Sequence, residues 1–523
     1  MDLKHILSAT VACLLLLLDF TNGAGISNSH VPKSTRHLAS DAIGYSYKES
    51  SGRYSKGSNA IENCSVLINE DLVREIASYQ PIADQIIEAV MNGNWKGKAY
   101  EALHDLVDKY PIRLSGFQNL EDSIDYMMEK MRAYGYENVR GEEVPVPHWV
   151  RGEESADMLE PHQKKLRLLG LGSTVGTPEE GITGDVLVVK SFADLDAKRD
   201  QAQGKIVVYN QGWLGSYPAT NIYRTNGASH ASQYGAVATL IQSVAPFSLD
   251  TPHTGAQVYW ANVTKIPTAC ITMEDADFMY RLQEKGEQLR VHVKLLDYNL
   301  PVTTSRNVIG EIVGSTIQTE YVGVSGHIDS WDVGQGAMDD GGGVMVSVIA
   351  LAVLKDLGLR SKRTLQTILW TSEEPGLVGV EGFAAQHLDI LANYSVIFES
   401  DEGTFKPNGL DFAGSEAAGC IVNEVLKLTA SINTTIYTMY PEVSSDITKL
   451  QALGVPGLQN NNDDDLYFWY HHTEADTITM MDSEELDLNT ALFAVSSFVL
   501  ADISAKLPRD PPSVARTVVE TGC

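Results

Sequence analysis

The stretch His327-Ile-Asp-Ser-Trp-Asp-Val-Gly-Gln-Gly-Ala-Met-Asp-Asp-Gly-Gly-Gly343 decides how the chain is read. It follows an apolar run, Glu320 to Gly326, with the composition of a buried strand, and its glycines open a long apolar segment of helix length. Between the two sit His327, Asp329, Asp332, Asp339 and Asp340. Open α/β sheets bind ligands at the carboxyl ends of their strands, so a histidine and several aspartates at a strand-to-helix turn make a candidate metal site. His327 offers a nitrogen ligand, and Asp339 can return to the same point and bridge two cations. Taken alone, the stretch also reads as a polar loop with solvated aspartates.

Downstream, strands and helices alternate from Ser305 to the last helix near Ala505, which predicts a largely parallel sheet covered on both faces. Three further loops follow apolar runs and end in ligand-type residues. Glu373 and Glu374 follow Ile-Leu-Trp-Thr-Ser, Asp401 follows Val-Ile-Phe-Glu-Ser, and His471 and His472 lie in Tyr-His-His-Thr-Glu-Ala-Asp-Thr. Two histidines and three carboxylates, each where a strand should end, form the nitrogen and oxygen ligand set of a two-metal hydrolase. Asp332, Asp411 and Asp463 to Asp465 are read as solvated loop charges. Trp331, Trp469 and Tyr470 are read as aromatic core, with a pocket wall as the alternative.

Upstream, helical periodicity begins near Leu72 and recurs through Tyr134, with Asn119 a candidate cap, and Val139 to Ser155 reads as an extended strand and turn. Short β-rich runs separated by turns occupy residues 166–299, among them Gly184 to Ser191 and Gly204 to Asn210. They predict an insert that shapes the cleft and is separable from the metal site. The alternative is a further α/β layer of the same domain.

A chain of 523 residues exceeds one ordinary core. Its formal net charge of −29 argues against nucleic acid as a partner, because phosphate binding needs a cationic surface. Lys4 and His5 precede the apolar run Ile6–Leu18, and small residues follow at Gly23 to Gly25, the pattern of a secretory signal peptide. That run is short for a membrane span, and no later stretch is read as long and apolar enough to be one. Of five cysteines, Cys13 leaves with the signal, while Cys64, Cys270, Cys420 and Cys523 admit a disulfide whose pairing stays open. Sequons at Asn63, Asn262, Asn393 and Asn433 suit a glycosylated, secreted or lysosomal chain. The expected division is signal peptide 1–24, leader or propeptide 25–68, catalytic domain 69–165 with 300–506, insert 166–299 and tail 507–523.

The motif series His-x-Asp, Gly-Ala-x-Asp-Asp, Glu-Glu, Ser-Asp and Tyr-His-His-Thr, with Asp476 after it, resembles the co-catalytic dizinc aminopeptidase and carboxypeptidase family, in its carboxypeptidase branch. The tract Arg113-Leu-Ser-Gly116 adds to the match, which spans most of the chain. The resemblance implies an α/β/α sandwich with a mostly parallel central sheet and an inserted β-rich protease-associated domain. It implies two Zn²⁺ per chain, one held by His327, Asp339 and Asp401 and the other by Asp339, Glu374 and His472. Glu373 would be the general base, Asp329 would hold the His327 imidazole, and a cis peptide would follow Asp339. Asp340 stands as the alternative bridge and His471 as the alternative to His472. The implied activity is hydrolysis of short peptides by a dipeptidase or carboxypeptidase, with water activated between the metals and a homodimer as an admissible assembly. An aminopeptidase would use the same site. A receptor-like scaffold without catalysis and a one-zinc glutaminyl cyclase are the readings from other classes, and the complete ligand set argues against both.

Overall fold

Residues 64–509 are described by a computed structural model of the chain. The signal peptide, the leader ahead of Cys64, the Asn63 sequon and the tail beyond Arg509 lie outside them. Helices Glu70–Ala77, Gln80–Met91, Lys98–Lys109 and Gln118–Ala133 lead into β1 (Glu137–Val150). A second group of strands follows: β2 (Glu154–Glu160), β3 (Lys164–Leu166), β4 (Leu168–Gly170), β5 (Ile182–Val189), β6 (Ile206–Tyr209), β7 (Ala238–Gln242), β8 (Thr268–Ile271) and β9 (Arg290–Leu295). The chain then returns to the first group through β10 (Tyr298–Ile312), β11 (Ile317–His327), β12 (Arg363–Trp370), β13 (Tyr394–Glu399), β14 (Pro407–Ala413), β15 (Ile436–Met439) and β16 (Gly457–Asn462).

The first sheet runs β1-β10-β12-β11-β13-β16-β14-β15. Its centre, β12-β11-β13-β16, is parallel, and so is the β14-β15 pair at one edge, whereas β1 pairs antiparallel with β10, β10 with β12 and β14 with β16, so the sheet is mostly parallel with antiparallel pairings toward its edges. Alternate residues of the central strands face opposite ways, as the pleat requires. Val322, Val324, Leu365, Leu369, Val396 and Phe398 pack against helices Gly342–Asp356 and Ser483–Asp502. Ile309, Ile368, Trp370 and Ile397 pack with Val380 and Phe383 of helix Val378–Gln386 and with Ile447 and Leu450 of helix Ile447–Ala452. Helices therefore cover both faces. The segment Ala337–Asp356 has the length and hydropathy of a membrane span, contrary to the sequence expectation, but the whole apolar window is buried inside the protein. Fully burying one such Val or Leu is worth roughly 1.5–3 kcal/mol, so this segment is the central core helix.

Three local expectations change. Helix Gln118–Ala133 starts one residue before Asn119, and its N-cap position, Phe117, has no capping side chain. Cys64 is joined to Cys420 by a disulfide, so the folded body begins ahead of the leader boundary set at 68, while Cys270 is a buried free thiol. A partner 356 residues away leaves no local signal. At the other end, Leu507 is buried and Arg509 donates to the Leu391 and Tyr394 carbonyls, which anchors the start of the segment read as tail.

The second sheet runs β3-β2-β9-β5-β6-β7-β8-β4. It takes in β2 and β3, so it begins at Glu154 rather than at residue 166. Nothing in those short, charged strands separates them from β1 by pattern. Nor is it purely β-rich. Strands β5 to β8 are parallel, helix Met273–Glu284 covers one face, and helices Phe192–Ala197 and Tyr217–Ser232 cover the other. The chain crosses between the sheets twice, at Arg151–Glu153 and at Leu296–Asp297, and the crossings are bonded to each other. Leu296 N donates to Glu153 O at 3.0 Å, and Gly152 N donates to Asp297 Oδ1 at 2.8 Å.

Asp297 Oδ2 is buried beside the Glu154 carboxylate. Burial, and then the Glu154 carboxylate, push the Asp297 carboxyl up to about 7, with Arg151 partly offsetting them. A carboxyl raised in the folded state stabilises the fold below its ordinary range, and that contribution is lost as pH rises through about 7. Asp297→Asn is therefore expected to gain on the native chain between pH 5 and pH 8, with a thermal midpoint higher by roughly 2 °C at pH 8. Equal midpoints at both pH values would contradict this.

Candidate metal centre

Strand register brings the candidate residues together. His327 pairs level with Trp370 on β12, and Ser325 with Glu399 on β13. The carboxyl ends of three neighbouring parallel strands therefore deliver His327, the Glu373–Glu374 turn and Asp401 to one edge of the sheet. His471 and His472 arrive separately, after the short helix Tyr467–Tyr470.

Asp339 stands in the middle. Its Oδ1 is 3.0 Å from His327 Nε2, which is 3.1 Å from Asp401 Oδ1. Its Oδ2 is 3.2 Å from His472 Nε2, which is 3.0 Å from Glu374 Oε2. The two oxygens of one carboxylate thus face two histidine–carboxylate pairs. The expected cis peptide after Asp339 is present. Asp340 is turned away, its carboxylate accepting from the backbone amides of His327 and Gly343. Burial raises the Asp340 carboxyl well above its usual range. His471 stacks on His472 with ring centroids 3.5 Å apart, but its Nε2 is 3.7 Å from Asp339. Among the described residues, ligand atoms within 4.8 Å of one another form two groups, His327–Asp339–Asp401 and Asp339–His471–His472.

The shell around these groups is backbone-directed. Asp476 accepts from the amides of Ala337, Met338 and Asp339, which fixes the turn that presents Asp339. Arg113, fully buried, donates to the carbonyls of Ile328, Gln335 and Gly336 and so closes the loop. Asp329 faces the His327 imidazole and has a second task as well. The nearer contact to His327 Nδ1 is its backbone carbonyl, at 3.1 Å, with a carboxylate oxygen at 3.6 Å. The carboxylate itself accepts from Glu373 N at 2.9 Å and from Glu374 N at 3.2 Å.

The donor set fits divalent cations. Asp339 Oδ2 is buried and makes no hydrogen bond. Among the described residues, the only basic side chains within 4 Å of the Asp339, Glu374 and Asp401 carboxylates are histidines. Burial opposes charge on His327 and His472, yet the surrounding carboxylates win. His327 is raised well above the usual imidazole range, and His472 to about 9. A field that holds protons on buried imidazoles is the field a metal cation would meet there. Burial also raises Glu374 to about 7 and Glu373 well above the carboxylate range, although Glu373 keeps a partly open face.

The second sheet takes part in this centre, so the segment read as an insert does not stand apart from it. Thr254 O lies 3.2 Å from His472 Nδ1, and Thr254 N donates to His472 O at 3.0 Å. His253 Nδ1 is 2.7 Å from His471 O. Phe247 stacks on Trp469, and Tyr217 stacks on Phe468. The reading of Asp332 as a solvated charge is also overturned. Arg151 holds both its oxygens at 2.8 Å, and the same guanidinium donates to Glu154 and Gly170 O, joining the metal loop to the second sheet. Asp411 is buried within β14 and accepts from Asn461. Trp331 packs with Trp149, Leu114, Leu169 and Val333 as aromatic core, its ring 5.7 Å from that of His472.

The profile of Peptidase family M28 matches residues 307–496. The chain is 48% identical over 440 residues to carboxypeptidase Q of Homo sapiens, covering 84% of this chain and 93% of that protein. Against carboxypeptidase Q of Mus musculus it is 47% identical over 439 residues, with the same coverage. Among solved structures, the Peptidase M28 precursor from Shewanella amazonensis superposes with a TM-score of 0.79 at 30% identity, over 83% of this chain and all of that one. A zinc aminopeptidase from Bacillus subtilis shares the fold, with a TM-score of 0.61 at 22% identity over 79% and 97% of the two chains.

Proposed function

The chain belongs to peptidase family M28 and is a zinc metallo-exopeptidase, and from that premise we propose that it hydrolyses short peptides, dipeptides foremost, at two zinc seats sharing Asp339. The observation that carries this reading is the placement of the two Asp339 oxygens toward separate histidine–carboxylate pairs. We assign His327, Asp339 and Asp401 to one seat and Asp339, Glu374 and His472 to the other. His472 is preferred to His471 because it meets both Asp339 and Glu374. Bound there, zinc supplies Lewis acidity, polarising the scissile carbonyl and lowering the pKa of a water to about 7. Glu373 takes the proton of the attacking water and passes it to the leaving amine, the role of a positioned general base and acid. Asp329 holds Glu373 and Glu374 in register through their amides.

The second sheet is proposed to be a protease-associated insert. The N-terminal pattern, the Cys64–Cys420 disulfide and the sequons support passage through the secretory pathway to a secreted or lysosomal destination. Asn262 and Asn433 are exposed and Asn393 is partly so, as glycan acceptors need to be. Two measurements test the reading. Metal analysis is expected to return two zincs per chain. A dipeptide panel with either terminus blocked is expected to show that a free carboxyl terminus is required. One zinc, or turnover that depends only on a free amino terminus, would contradict it.

A further inference from the structure

Arg224 lies on helix Tyr217–Ser232 of the second sheet and is 5% exposed. The other buried arginines among the described residues are accounted for: Arg363 pairs with Glu320, Arg151 with Asp332 and Glu154, and Arg113 spends its donors on carbonyls. Arg224 is different. Its Nη1 is 3.3 Å from Thr254 O and 3.4 Å from His472 Nδ1, and its Nη2 donates to the Tyr217 hydroxyl at 2.6 Å. No carboxylate is among these partners, and its buried Nε has none. A buried guanidinium without a counter-ion is costly unless an anion arrives to pair with it.

The position of Arg224 says which anion. It stands directly behind the imidazole of His472, one ring beyond the nitrogen that faces Asp339 and Glu374. Tyr217, which it holds, is half-buried, lies edge-on to His471 and sits in the field of Glu374 and Glu373. The pair therefore stands one imidazole away from the Asp339–Glu374 side of His472, with Tyr217 near enough to Glu374 and Glu373 to feel their charge. Consecutive Cα atoms are about 3.8 Å apart, so a peptide whose scissile carbonyl lies at the metals carries its next charged group about one side-chain ring further on. In a dipeptide that group is the C-terminal carboxylate.

We propose that Arg224, with the Tyr217 hydroxyl, receives the free α-carboxylate of the substrate's C-terminal residue, so that the inserted segment selects carboxyl-terminal substrates. The inference rests on the exopeptidase reading above and names the group it recognises. A guanidinium fork and a carboxylate pair through two parallel hydrogen bonds, and burial strengthens them. Gly255 shapes the seat, since a Cβ there would fall 2.3 Å from Arg224 Cζ.

The test compares kcat/KM on alanyl-phenylalanine and on its C-terminal amide, with zinc content measured on the same preparations. The native chain is expected to prefer the free acid. In Arg224→Gln the acid-over-amide ratio is expected to fall by about 10²-fold, the scale for removing one partner of a buried charge pair, with zinc retained. Arg224→Lys, which keeps the charge but loses the fork, is expected to keep part of the ratio. A ratio preserved in Arg224→Gln while both rates fall, or a loss of zinc, would overturn the proposal and leave Arg224 as a support for His472, with the exopeptidase reading intact. A native chain indifferent to the amide would overturn the carboxyl-terminal reading and this proposal together.

Discussion

Glu373→Gln is expected to lower kcat on a good dipeptide by roughly 10²–10⁴-fold, the usual contribution of a positioned general base. The substitution preserves volume and removes only the proton acceptor. The backbone at this point is held by Glu373 N on Asp329 and by Gly376 and Leu377 donating to Glu373 O, none of which involves the Glu373 side chain. Folding and zinc content should therefore survive, and KM should change much less than kcat. Glu374→Gln should behave the other way, weakening zinc binding because its carboxylate faces His472. Steady-state kinetics and zinc analysis on the two purified variants decide the matter. Near-normal turnover in Glu373→Gln, or zinc loss in that variant alone, would reverse the two roles.

Asp339→Ala is expected to lose both zincs and, with them, turnover. The two Asp339 oxygens face different histidines, so no other carboxylate of the cluster reaches both seats in the same way. His472→Ala should lose mainly the zinc shared with Glu374 and leave the His327–Asp401 side occupied. Zinc per chain after exhaustive dialysis separates these outcomes. Two zincs retained in Asp339→Ala would show that the seats share no ligand. Asp340 is poorly placed to take over, because its carboxylate already serves the amides of His327 and Gly343.

Some residues were legible because their signal is local. His327, Glu373, Glu374 and Asp401 each follow an apolar run, and parallel pairing carries such positions to one edge whatever the details of the helices. His472 was legible as one of a pair and preferred to His471 by its spacing to Asp476, and its contact to Glu374 supports that preference. Arg224, Tyr217 and Thr254 left no trace in the pattern. They sit in an ordinary helix and loop, and their connection to His472 arises only when the second sheet packs against the segment 467–473. Asp332 looked like a loop charge because its partner, Arg151, lies far back along the chain at the first crossing. The boundary at Glu154 was missed for a related reason, since the first of the two short charged strands carries only Ala156 and Met158 as an apolar alternation, too brief to set it apart from β1.

The Asp329 carboxylate, one oxygen on the amide of Glu373 and the other on that of Glu374, has a consequence for anyone redesigning this chemistry. The proposed base and the proposed ligand are mounted on a single bracket, so the spacing between them cannot be tuned by editing residues 373 and 374 alone. Asparagine at 329 could accept from only one of the two amides and would set its own NH₂ against the other. Retuning the base for another leaving group would then mean rebuilding the turn and its bracket as one cassette, transplanted whole.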